Sequence, residues 1–308
     1  MATMKVEPLA EGLSFGARVR GLTRSALGDA DVRATLNRVF EERGMIVFEG
    51  VEPTGEMQVE ISTVFGPLKD HPVASVQRAD KDKLLGVIEI SAGPQACIVE
   101  IDGKPLVTWQ PWHFDHAYNN ELNRAGVLRS AKDGGRTAFA DGIQIYRDMN
   151  PAIRKKAEGI NVLYNLDLRY TEQRFGLPKT FRQVQPHAGD LHLTAAKMPC
   201  AIHPILWTRK SGETVFHMTP YGARGIEGDR SEKAFELLAE IWDEGMRVMQ
   251  PYFHEWKPDD MVIWDNWRML HHACGCNPDE ERIVHRTTIK GDYGLGRFEE
   301  RAELQQPA

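Results

Sequence analysis

The chain has 308 residues, 42% hydrophobic and 27% charged, with a net charge of −6. That is the composition of a globular protein with room for one large core or two smaller ones. The acidic balance, without a Lys/Arg cluster, excludes a nucleic-acid footprint. No apolar run approaches membrane-spanning length, and Met1 to Leu22 lacks the apolar centre of a signal peptide. Four cysteines (Cys97, Cys200, Cys274, Cys276) do not suggest a disulfide framework, so a reducing cytoplasm is the expected compartment.

The first readable unit runs from Asp29 to Gly50. Val32, Leu36, Val39 and Phe40 fall at helical spacing, and Gly44 is placed to end that helix. Met45-Ile-Val-Phe48 reads as a buried strand. A second helix is expected over Glu56 to Val64, stopped by Gly66-Pro67. From about Leu84 to Ala140, short β-like runs alternate with Gly, Pro and Asn turns. Asn150-Pro151 looks like a cap and first-turn proline. Ser231 to Gly245 is an amphipathic helix with Phe235, Leu238, Ile241 and Trp242 on one stripe. Met261-Val-Ile-Trp264 and Val284 to Ile289 are further strand candidates. Many short strands with a few helices, and no repeat or linker, predict one domain over residues 1–308: mainly β with flanking helices, a jelly roll or barrel.

The segment that carries chemistry is Trp112-His113-Phe114-Asp115. On a strand, residues two apart share a face, so His113 and Asp115 could reach one metal ion. A distant histidine would complete a facial triad with open coordination positions, as non-haem Fe(II) oxygenases require. The candidates are His271 and His272, after Trp264-Asp265-Asn266. The bland alternative, a hydrogen-bonded structural His/Asp pair, stays open on these residues alone. Cys274-Gly-Cys276 beside two histidines also invites a zinc reading, although no second ligand cluster is visible.

Taken together, Trp112-His113-Phe114-Asp115, Gly134-Gly135-Arg136-Thr137, Trp264-Asp265-Asn266 with His271, and His285-Arg286-Thr287-Thr288 resemble the TauD/TfdA family of Fe(II)/2-oxoglutarate dioxygenases. The resemblance implies a double-stranded β-helix with Fe(II), 2-oxoglutarate as co-substrate, and O₂. It further implies that His113, Asp115 and His271 hold the iron. Arg286, fifteen residues after His271, would pair with the far carboxylate of 2-oxoglutarate, with the Thr137 hydroxyl on the same carboxylate. Arg282 matches a second arginine near the site. Where the family usually has Arg three after the motif Trp, this chain has Trp267, and Arg268 follows. His116 follows Asp115 directly, and alternation along an uninterrupted strand would aim it away from the ligand pair.

Trp109, Tyr118 and Phe216 align with positions that line the substrate pocket in relatives, and His71 stands in a His71-Pro72-Val73-Ala74 stretch where sulfonate-using relatives end in Tyr. With Ala74 for Tyr and Trp109 for an Asn, the resemblance implies a pocket larger and more apolar than one for taurine. The expected partner is a small organic acid or ester, with neither nucleic acid nor membrane; self-association into a homo-oligomer is compatible with the sequence. The competing reading is a catalytically inactive jelly-roll binding protein. A halogenase of the same family would need a small residue at Asp115 and is set aside.

Overall fold

Asp29 opens the first long helix, Ala30–Arg43, its carboxylate accepting from the amides of Asp31 (2.8 Å) and Val32 (3.2 Å). Gly44 closes it in the left-handed conformation, with φ 72°. The chain then enters the strand Met45–Glu49, where Met45 to Phe48 are all buried. That strand lies inside a seven-stranded sheet ordered Lys5–Pro8, Ala17–Arg20, Met45–Glu49, Met261–Asp265, Ala125–Ser130, Ile283–Ile289, Ile88–Ser91. The helix Gly55–Phe65, capped by the Thr54 hydroxyl, packs with the first helix over one face of this sheet. Gln58 is buried within that helix and donates to the carbonyls of Val127 and His285, each at 3.1 Å. These features come from the computed structural model, which describes residues 4–69, 79, 86–92, 96–132, 134–186, 189 and 191–300.

The opposing sheet has six strands, ordered Arg182–Gln185, Ile98–Ile101, Lys104–His113, Met269–Cys276, Arg136–Asp141, Tyr252–Glu255. Val47, Leu128, Val262, Trp264 and Val284 of the first sheet share one buried cluster with Phe139 and Met269 of the second, so the sheets face each other across a dry layer. This is the double-stranded β-helix expected. A smaller four-stranded sheet, Ala223–Ile226, Asn161–Tyr164, Ala201–Pro204 and Arg297–Phe298, flanks it. The helix Glu232–Val248, capped by Ser231, buries Leu238, Ile241 and Trp242 against Tyr164 and Phe216 in this third region.

The helices read from periodicity and caps all appear, including Pro151–Ala157 after the Asn150 cap. The N-terminal strands carry no such signal. Lys5–Pro8 is exposed along its length, and Ala17–Arg20 buries Ala17 and Val19 in the core while Arg18 and Arg20 pair with Glu49. A Cβ on Gly44 would lie 3.0 Å from the Arg268 side chain and 3.1 Å from Met269 Sδ, in a backbone conformation that disfavours side chains. Gly44→Ala should therefore lower stability by about 1–2 kcal/mol, seen as a lower urea midpoint with unchanged slope.

Candidate metal centre

A cavity of about 280 Å³ opens between the two large sheets, and most of the candidate residues meet in it. His113 is the last residue of its strand, and His271 sits directly opposite on the antiparallel partner. Their rings are 4.1 Å apart, centroid to centroid. Asp115 reaches them by another route than strand alternation, because the strand stops at His113 and Asp115 lies in the following turn. The Asn266 side chain holds that turn: its Oδ1 accepts from the Asp115 amide at 2.7 Å, and its Nδ2 donates to the carbonyls of Asp115 and Asn123, each at 3.2 Å. The end of the strand also changes His116. With φ 58° it turns into the cavity wall instead of away from the ligand pair.

One ligand atom from each of His113, Asp115 and His271 can be chosen so that all lie within 4.8 Å of one another. His113 Nδ1 is 2.7 Å from the Pro111 carbonyl, which only accepts, so Nδ1 carries the proton and Nε2 is bare. His271 Nε2 lies 3.6 Å from Asp115 Oδ1, and its buried Nδ1 has no hydrogen-bond partner among the described residues. Burial pushes both imidazoles below their ordinary pKa, His271 furthest, so both are neutral as metal ligands must be. Burial alone would raise Asp115, but Arg286 and then His271 outweigh it and hold the carboxyl well below its usual range. Arg286 grips that carboxylate with two prongs, Nη1 to Oδ1 at 3.0 Å and Nη2 to Oδ2 at 2.6 Å. A carboxylate offers about four lone-pair sites, so a metal still finds donors on Asp115. The donor set fits a divalent ion that prefers imidazole and carboxylate and keeps open positions.

His272 does not join this group. It gives Nδ1 to the Gln110 carbonyl and packs its ring 5.4 Å from Trp112, with burial pushing it down to about 4. Among the described residues, Cys274 and Cys276 join no metal-binding group, which removes the zinc reading. Arg268, one place later than the family pattern, makes a two-pronged buried pair with Asp141 at 2.8 Å for each contact. Asp265 binds Arg124 and Arg209. The Trp264-Asp265-Asn266 run thus contributes a cavity wall, an ion network and the clamp on Asp115.

Thr137 lies beside Arg282. Its Oγ1 accepts from Trp256 Nε1 at 3.0 Å and faces Arg282 Nη2 at 3.5 Å. Arg282 is 9% exposed, and no carboxylate among the described residues pairs with it. Burial lowers its pKa, and its Nε has no hydrogen-bond partner among the described residues. The Gly134-Gly135 turn has a packing purpose here: a Cβ on Gly135 would stand 3.0 Å from Arg282 Nε.

Two residues expected at the substrate pocket lie away from this cavity. Trp109 does not line the cavity: the chain twists at Thr108, φ 55°, and the indole packs behind it against Tyr170 and Phe181. Phe216 is fully buried in the cluster beneath the long helix, its ring 3.2 Å from where a Gly245 Cβ would be. Tyr118 does line the cavity, and His71, with Ala74, lies outside the described residues. Ile90, Leu168 and Tyr221 also form the wall. They sit on segments far apart in sequence with no motif around them, so nothing in the sequence singled them out.

The family model "Taurine catabolism dioxygenase TauD, TfdA family" matches residues 5–288. The chain is 25% identical over 287 residues to the alpha-ketoglutarate-dependent 2,4-dichlorophenoxyacetate dioxygenase of Cupriavidus pinatubonensis, covering 90% of this chain and 95% of that protein. It is 22% identical over 299 residues to the alpha-ketoglutarate-dependent sulfate ester dioxygenase of Pseudomonas putida, covering 95% and 91%. In structure it is similar to AAD-2, solved in complex with Mn(II) and N-oxalylglycine, with a TM-score of 0.71, 17% identity and coverage of 95% and 99%.

Asn266 acts on the ligand turn without being a ligand. Residues in that position typically govern metal affinity by about 10–100-fold. Asn266→Ala should weaken Mn(II) or Fe(II) binding within that range, measured by titration calorimetry on apoprotein whose circular dichroism is unchanged.

Proposed function

The chain belongs to the TauD, TfdA family, and from its cavity we propose that it oxidises a singly anionic molecule with a sizeable apolar body, such as an aryloxy acid or a sulfate ester. It is an Fe(II)- and 2-oxoglutarate-dependent dioxygenase, an oxidoreductase that uses O₂. The reading rests on one arrangement: a buried His/Asp/His set and, in the same cavity, a buried guanidinium with no carboxylate partner among the described residues. An inactive binding module needs neither feature.

His113, Asp115 and His271 hold the iron in this reading. Bound there, Fe(II) with 2-oxoglutarate and O₂ supplies decarboxylation of the keto acid to succinate and CO₂, coupled to hydroxylation of a substrate C–H bond. Arg282 and Thr137 take the far carboxylate of 2-oxoglutarate. This exchanges the roles of the two arginines relative to the sequence expectation, because Arg286 already holds Asp115 while Arg282 has no carboxylate partner among the described residues. An uncompensated buried cation is costly, and a carboxylate that meets it edge-on relieves that cost. Residues 1–308 are read as a single catalytic domain, since the ligands come from its middle and its C-terminal third.

Charge balance supports the substrate class. The two imidazoles are neutral, Asp115 and Arg286 cancel, and Arg282 stays positive. A divalent iron and a dianionic co-substrate cancel in turn, leaving one positive charge for a singly anionic substrate to complete. Ile90, Ala117, Tyr118, Leu128, Leu168 and Tyr221 supply the apolar wall for its body. The argument from Trp109 as a pocket wall no longer contributes. The two curated relatives named above act on a dichlorophenoxyacetate and on sulfate esters, bodies of this kind.

Removing the guanidinium has opposite effects on folding and on co-substrate binding. Arg282→Leu should raise the melting temperature of the apoprotein while weakening 2-oxoglutarate by about 2–5 kcal/mol; Arg282→Lys should recover only part. Unchanged dependence on 2-oxoglutarate in both variants would return that role to Arg286. For the substrate, succinate release should be faster with aryloxyalkanoates or alkyl sulfates than with taurine. Efficient turnover of taurine alone would overturn the proposed class.

A further inference from the structure

Thr108 is a β-branched residue held in the left-handed region, φ 55°, within the strand Lys104–His113. Such a conformation is rare for threonine and costs free energy, and strain of this kind collects where function over-determines the backbone. The partner strand kinks at the same rung. Gly275, φ 76°, faces Thr108 between the Val107–Cys276 and Trp109–Cys274 pairs. Glycine adopts this conformation freely, so the strain falls on the threonine.

The kink turns Trp109 out of the cavity and sets the Thr108 hydroxyl inside it. There Oγ1 accepts from Arg282 Nη1 at 3.1 Å, and Cys276 Sγ lies 3.9 Å away. Thr137 Oγ1 flanks the other terminal nitrogen of the same guanidinium. Each threonine oxygen therefore accepts from Arg282 and keeps its own hydrogen to give. Cys276 is a weak acceptor and a resting place for the Thr108 hydrogen. On the reading that Arg282 takes the far carboxylate, we infer that Thr108 is a second hydroxyl arm of that site: it orients Arg282 and donates to the carboxylate opposite Thr137, and its left-handed strain is what aims it there.

The test uses the full chain and three substitutions, Thr108→Ala, Thr108→Ser and Thr108→Gly, with Arg282→Leu beside them. The readouts are N-oxalylglycine affinity for the Mn(II)-loaded protein, KM for 2-oxoglutarate, Mn(II) affinity and the apoprotein melting temperature. Loss of a hydrogen bond to a charged group predicts that Ala and Gly weaken N-oxalylglycine and raise KM roughly tenfold. Ser, which keeps the hydroxyl, should restore both, and Mn(II) affinity should not move. Gly should also raise the melting temperature, because it releases the strain. A merely structural threonine would behave otherwise: Gly would stabilise without loss of affinity, or every variant would lose Mn(II) along with the co-substrate. Unchanged N-oxalylglycine binding in the Ala variant, with Arg282→Leu impaired, overturns the role of Thr108 alone. If Arg282→Leu also binds normally, the assignment of Arg282 falls with it. A lower melting temperature for Gly overturns the strain argument.

Discussion

Asp115 is a charge taken out of water, and the centre is arranged around keeping it there. Burial works against the ionised carboxyl, and Arg286 and the histidines outweigh it. A single missing partner would leave a buried charge uncompensated, and truncating one half of a buried pair typically costs several kcal/mol. Position matters as much as charge. The turn that carries Asp115 is tied through Asn266 to the turn leading into the His271 strand, so ligands from distant parts of the chain are registered by a side chain that touches no metal.

The two arginines illustrate how differently one residue type is used within a cavity. Arg286 is satisfied by Asp115 before any small molecule arrives. Among the described residues Arg282 meets the hydroxyls of Thr108 and Thr137, and the protein holds it in place with a glycine turn on one side and a kinked rung on the other. A cation held this way is poised for an anion, and the fold bears the cost of keeping it so. Spacing along the chain cannot separate the two roles. Both arginines sit close together in sequence and both reach the same cavity; only the partner each already has distinguishes them.

This sets the limit of what the residues alone disclosed. The helices were legible because caps and periodicity are local: Asp29 with Gly44, Asn150 with Pro151, and the Ser231 stripe. The histidines and aspartate were legible because they belong to motifs whose order is specific. Trp109 misled because alignment assumes that a strand keeps its alternation, and the left-handed Thr108 breaks it. His116 and Asp115 departed from the expected faces for a related reason, since the strand ends at His113. Correspondence with relatives puts Phe216 at the pocket, whereas its ring is buried in the cluster beneath the long helix. Ile90, Leu168 and Tyr221 could only be found by folding the chain.

The direct pairing of His113 with His271 divides the chain into parts that differ in how freely they can change. Inserting one residue in either strand near this rung would flip the faces beyond it and bring His272 or another neighbour to the metal in place of His271. Lengthening a loop outside the two large sheets costs little, because closure entropy grows only with the logarithm of loop size. Leu168 and Tyr221, part of the apolar wall, lie in such loops. Selection can thus remodel what the enzyme accepts by altering a tolerant stretch of chain, while the machinery that oxidises it stays insulated behind a register that admits no drift.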